Sequence, residues 1–168
     1  MCCLFGILDY GHKLSRKEKT KILSVLSVAC EERGTDATGI AYNSGGSLKV
    51  YKRPLPAHLL WFKVYEDTNL VMGHTRMTTQ GSERYNQNNH PFSGQAGNTS
   101  FALAHNGVLS NDKRLRRQYD LPPDQDRNRF LHRSTAPRSI RGAVFCFSGL
   151  DGRETGGFLY HQRDDRSG

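Results

Sequence analysis

Cys2 has more chemistry open to it than any other residue of this 168-residue chain. Removal of Met1, which a small second residue permits, would leave a thiol and a free α-amino group on the same residue. With a pKa of about 7.7–8.0, that amine can act as general base toward its own thiol, and no histidine partner is needed. Taken alone, a cysteine at the second position is more often an ordinary buried residue. Cys3, Cys30 and Cys146 show neither C-x-x-C spacing nor a secreted disulfide pattern, and Cys30 reads as a small buried hydrophobe. His74, His90 and His105 fit no short ligand motif, so no metal is expected and they read as structural hydrogen-bonding residues. In isolation Arg76 reads as half of a surface ion pair, and Asn106-Gly107 as a turn.

These residues need elements to position them. Leu4-Phe5-Gly6-Ile7-Leu8 reads as a buried first strand. Ser15 and Glu18 form the S-x-x-E capping box of a helix that runs to about Glu32, with Ile22, Leu23, Leu26, Ala29 and Cys30 at helical spacing. Arg33–Asp36 is a turn containing Gly34. Thr38–Asn43 and Ser47–Arg53 read as strands of a hairpin joined through Ser44-Gly45-Gly46. Leu70–Thr75 and Phe101–His105 are further strands. The polar stretch Thr78–Thr99 between them reads as a long loop, functional or disordered. Asn111–Tyr119 suggests a short basic helix. The order of elements argues for an α+β layer structure.

Five segments, in order, resemble the class II glutamine amidotransferases, the family of glucosamine-6-phosphate synthase and amidophosphoribosyltransferase. Met1-Cys2-Cys3-Leu4-Phe5-Gly6-Ile7 is similar to that family's M-C-G-I-x-G-I opening, and Arg33–Ile40 to its R-G-x-D-x-x-G segment. Gly73–Gly81 resembles G-H-T-R-W-A-T-x-G, Asn88-Asn89-His90-Pro91 resembles N-x-H-P, and His105-Asn106-Gly107 resembles H-N-G. The resemblance implies the N-terminal-nucleophile hydrolase αββα sandwich, incomplete here after about residue 123. It implies that Cys2 attacks the side-chain amide of glutamine and that Arg76 holds the substrate carboxylate. Asn106 and the Gly107 backbone N–H would stabilise the oxyanion, while Thr79 and Gly81 shape the substrate loop. Ammonia would pass to a synthetase or transferase domain or subunit, and no cofactor is required. Cys3 stands where the family has Gly, next to the nucleophile, and Met77 where it has Trp.

The resemblance breaks after Pro123. The family places there an aspartate, within T-D-S or T-D-T, for the substrate ammonium group, and nothing here matches it. Residues 124–168 contain eight Arg and no Lys, whereas residues 1–123 contain eight of each. A bias of that kind points to coding rather than folding. Read from the second base of each codon, residues 124–138 can encode TKIETDSYIAVQLLE, which restores the aspartate. Residues 124–168 are therefore expected to be a frameshifted tail or, alternatively, an authentic divergent one, ordered or disordered, although Gly142–Asp151 resembles a later family strand in the given frame. A catalytically impaired remnant of the domain is the alternative reading.

The net charge of +8 invites a nucleic-acid partner. The one local cluster, Lys113-Arg114-Leu115-Arg116-Arg117, lacks interleaved aromatics and reads as a solvated helix face, so a basic nucleic-acid-binding module ranks last. Mean hydropathy is −0.66, with no membrane-length apolar run and no signal peptide, which gives a cytoplasmic, soluble expectation with no membrane partner.

Overall fold

The computed structural model describes residues 2–79, 81–95, 99–107, 114, 117 and 118, and the backbone of 96 and 143–149. β1 (Cys3–Leu8), β2 (Ala37–Ser44), β3 (Ser47–Arg53) and β4 (Leu70–Arg76) form one antiparallel sheet in the order β1-β4-β2-β3. A second antiparallel sheet holds β5 (Phe92–Ala96), β6 (Thr99–Asn106) and β7 (Ala143–Gly149), in the order β5-β6-β7.

The period-two alternation of side chains separates two apolar layers. Ala41, Leu70 and Met72 of the first sheet meet Ala102 and Ala104 of the second, with Leu4, Leu48 and Val50 packed alongside. Alanine at three of these positions lets the sheets approach closely. The opposite face of the first sheet presents Ile40, Tyr42 and Val71 to Leu23 of the helix and to Phe62 and Val64 of the following loop. This face is the helical layer of an α+β sandwich.

Helix α1 (Arg16–Ala29) begins as expected. Ser15 accepts from the Glu18 N–H while Glu18 accepts from the Ser15 N–H, a complete capping box worth about 1 kcal/mol. Its last turn tightens into the 3-10 segment Cys30–Arg33. The fully buried stripe differs from the apolar spacing: it is Lys19, Leu23 and Ser27. Lys19 tolerates burial because its ammonium lies 3.5 Å from Asp9 and donates to the Glu66 carbonyl at 2.9 Å. Ser27 donates to the Ser24 carbonyl at 3.1 Å.

The β2–β3 hairpin closes through Gly45 and Gly46 at φ 58° and 67°, the left-handed pair that a two-residue hairpin loop requires. Two expectations need correction. β1 is not a fully buried strand: among the described residues it is paired on one side only, with β4, and Leu8 is 38% exposed. The 78–99 stretch is not a structureless loop, since it contains a 3-10 turn at Asn86–Asn88 and strand β5. β5 has few apolar residues to signal it and gains its form by pairing with β6. There the ring of Phe101 occupies the space that a side chain at Gly94 would fill. Of the basic segment, Arg114, Arg117 and Gln118 are helical and exposed; the rest lies outside the described residues. No helix among the described residues is long and apolar enough to cross a membrane.

Candidate active site

Strand parity assembles the site. In β1, Leu4 packs into the layer between the sheets and Phe5 into the helical layer. Cys2, two residues before Phe5's neighbour Leu4, shares Leu4's side, whereas Cys3 turns toward the helix. The β1–β4 register pairs Cys3 with Thr75, so its continuation sets Cys2 across from Arg76. Arg76 shares its face with Leu70 and Met72, and Asn106 shares its face with Ala102 and Ala104. Cys2, Arg76 and Asn106 are thus all on inter-sheet faces. His74, two residues before Arg76 on β4, lies beside the backbone of His105, which brings the end of β6 beside the end of β4. The side chain of Cys3 leaves this face for the helical side, so it does not crowd the nucleophile.

The Cys2 thiol is half-buried and donates to the Met77 carbonyl at 3.6 Å. Arg76 is 6% exposed. Its Nη1 donates to Asn89 Oδ1 at 2.7 Å and its Nη2 to the Gly81 carbonyl at 3.2 Å. Gly81, at φ 68°, takes a left-handed conformation that glycine adopts without strain, and this turns its carbonyl into the site. Thr79 is exposed on the same loop; Asn106 is half-buried and Gly107 exposed at the end of β6.

Three residues that support this loop were given no role from the sequence. Asn89 is fully buried, and its Nδ2 donates to the Glu83 carbonyl at 2.7 Å, so one amide fixes both Arg76 and the loop. The N-x-H-P wording draws attention to Asn88, but the adjacent residue reaches the arginine. Asp36 donates its N–H to the Arg76 carbonyl at 3.0 Å and accepts from the Thr78 N–H at 2.6 Å, clamping the chain on either side of Met77. Gly34 lies so close to the Arg76–Met77 peptide that a Cβ there would overlap it. The R-G-x-D segment held the signal for both, in its glycine and its aspartate.

Behind the loop, His90 and His74 are hydrogen-bonded through Nδ1 and Nε2 at 3.0 Å, and His90 also packs edge-on against Phe92. Burial pushes His74 down to about 3, helped by the charges of Arg76 and His105 and opposed by the His105 backbone. Burial, with His74 beside it, likewise holds His90 well below the usual histidine range. Both rings are therefore neutral hydrogen-bonding struts. Lys52 donates to the carbonyls of Asn89 and Pro91 at 2.6 and 3.0 Å and fastens the same segment to β3; burial lowers it to about 8. Cys30 departs from its expected role. It is only half-buried, and the Cys3 thiol donates to its Sγ at 2.9 Å. The segment expected to supply the substrate-ammonium carboxylate lies outside the described residues.

No protein-family model matches the chain. It is similar to glutamine–fructose-6-phosphate aminotransferase of Staphylococcus epidermidis, at 33% identity over 122 residues covering 71% of this chain and 19% of that protein. It is similar to human amidophosphoribosyltransferase at 29% over 124 residues, 70% of this chain and 24% of that protein. A 7-cyano-7-deazaguanine synthase of Saccharolobus solfataricus is 30% identical over 129 residues, 72% of this chain and 27% of that protein. The chain spans between 19% and 27% of the length of these relatives. Among solved structures, the allosteric regulatory enzyme of purine biosynthesis superposes with a TM-score of 0.62 at 21% identity, over 88% of this chain and 35% of that one. The glutamine phosphoribosylpyrophosphate amidotransferase of B. subtilis superposes with a TM-score of 0.55 at 22% identity, over 88% and 35% of the two chains. The shared fold and the relatives agree: the chain belongs to the class II, N-terminal-nucleophile glutamine amidotransferases.

Proposed function

We propose that this domain hydrolyses the side-chain amide of glutamine through a Cys2 thioester and passes the ammonia to an acceptor domain or subunit, in a cytoplasmic setting. The observation that supports the reading is the hydrogen bond of the Cys2 thiol to the Met77 carbonyl at 3.6 Å, one residue beyond the buried Arg76. Arg76 presents a planar pair of donors to the substrate carboxylate, held in place by Asn89 and Gly81. The Cys2 sulfur, its proton taken by the α-amine, attacks the amide carbon. The Asn106 side chain and the Gly107 N–H then receive the charge that develops on the oxygen. The amine returns the proton to the departing ammonia. Water, activated by the same amine, releases glutamate from the thioester. Thr79 and Gly81 shape the loop over the substrate. In domain terms, residues 1–123 carry this N-terminal part and residues 124–168 form the divergent or frameshifted tail.

Glutamate release from glutamine by the purified chain, against Cys2→Ala, tests this. Release that depends on Cys2 supports it; equal rates in both proteins overturn it. A second reading is motivated by the tail, which lacks the family's T-D-S wording. In it the domain acylates without turning over. Labelling of Cys2 by a glutamine-mimicking electrophile, with no steady release of glutamate, would favour that reading.

A further inference from the structure

We propose that Cys3 and Cys30 form a redox site beside the nucleophile, closing to a reversible disulfide that leaves Cys2 as a thiol. Cys3 begins β1 and Cys30 caps the C-terminus of α1, and their sulfurs lie 2.9 Å apart across the helical layer. Bond formation needs an approach of roughly 0.9 Å from that separation. Parity keeps the third thiol apart: Cys2 Sγ faces the Met77 carbonyl on the inter-sheet side. Both members of the pair are half-buried, so a small reagent can reach them while the sheet and helix hold them together.

The oxidant is a low-molecular-weight disulfide. Burial pushes the Cys30 thiol up to about 12, so Cys30 keeps its proton and Cys3 attacks first. The Cys3 sulfur breaks the reagent's S–S bond and forms a mixed disulfide. The first reagent thiolate leaves and takes up the Cys3 proton. Cys30 sulfur then displaces the second thiolate from Cys3, and the Cys30 proton goes to that leaving group. Two electrons pass from the protein thiols to the reagent, which is reduced to two thiols.

The bond would tie β1 to the turn that braces the substrate loop. The carbonyl of Cys30 already accepts from Thr75 Oγ1 at 2.9 Å, and Gly34, at the end of the same turn, packs on the Arg76–Met77 peptide. The expected effect is a firmer site with Cys2 still available.

The test treats the full chain with glutathione disulfide, blocks free thiols with iodoacetamide and maps peptides by mass. The proposal expects loss of two hydrogens from the intact chain, a Cys3–Cys30 linked peptide, and alkylated Cys2. It also expects an upward shift in denaturation midpoint that dithiothreitol reverses and that Cys30→Ala lacks. Alkylated Cys3 and Cys30 after oxidation, or a bond that includes Cys2, would overturn it. The mapped bond does not depend on Cys2 being catalytic, so this proposal and the glutaminase reading can fail separately.

Discussion

Asn89→Asp probes whether Arg76 meets the carboxylate of glutamine. The substitution is nearly isosteric, and an oxygen can still sit 2.7 Å from Nη1 of Arg76. It places a full negative charge on a guanidinium that is only 6% exposed. The arginine is then neutralised before substrate arrives, and the substrate carboxylate loses much of a charge-assisted bond worth about 1.5–3 kcal/mol. At about 1.4 kcal/mol per factor of ten, KM for glutamine should rise about tenfold to a hundredfold. kcat should change less, since the thioester chemistry lies at Cys2 and Asn106. Folding should respond in the other order. Asn89→Ala removes the Arg76 contact and leaves the Glu83 carbonyl without its 2.7 Å donor, a combined cost of about 3–5 kcal/mol. Asn89→Asp loses only the donor and gains an ion pair, so it should be the more stable variant. Glutamate-release kinetics over a range of glutamine concentrations, paired with urea denaturation, read both quantities. A folded Asn89→Asp protein with an unchanged KM would refute the assignment of Arg76 to the substrate carboxylate.

Asn106→Ala should lower kcat for glutamate release by about a hundredfold to a thousandfold with little change in KM, as loss of an oxyanion donor does; a KM effect without a kcat effect would move Asn106 to ground-state binding. Gly34→Ala should displace the Arg76–Met77 peptide and depress activity more than stability, because the turn can retreat toward solvent only by releasing the loop it braces. The check is kcat/KM against the denaturation midpoint. The histidine pair should make the fold acid-sensitive. His74, lowered to about 3, takes up its proton in the unfolded chain first, so the stability from keeping it neutral is present above about pH 6.5 and is lost as pH falls toward 3. Between pH 6.5 and 5 the loss from His74 alone should be about 2 kcal/mol, and His90, shifted in the same direction, adds to it. Urea midpoints across this range should fall in the wild type and flatten in His74→Asn.

The residues proposed to carry the chemistry stand out in the sequence because each belongs to a short run whose types are demanding: a second-position cysteine, an arginine before a polar loop, an asparagine followed by glycine. The strand that carries Arg76 was legible as a short apolar run, since Leu70, Val71 and Met72 are buried on both of its faces. Asn89 was not legible. Its importance comes from complete burial, and a polar residue in an Asn-rich loop gives no local sign of being buried. β5 was missed because Ser93, Gly94 and Gln95 have weak strand preference, and the pairing with β6 supplies what propensity does not. Lys19 and Lys52 show the same limit: their burial depends on Asp9, and on the carbonyls of Asn89 and Pro91, partners distant in sequence or unrecognisable as acceptors until the chain is folded.

The opposite facing of Cys2 and Cys3 makes the opening of the chain a counting device. Leu4 anchors the count, and each residue between it and the nucleophile exchanges the two sides of the strand. One residue inserted between Cys3 and Leu4 would send the terminal thiol to the helix and offer its neighbour to the substrate. One residue left ahead of Cys2 would do different harm, keeping the sulfur in place while converting the amine into an amide. The two errors leave different traces, a misplaced sulfur in one case and a correctly placed sulfur without a base in the other.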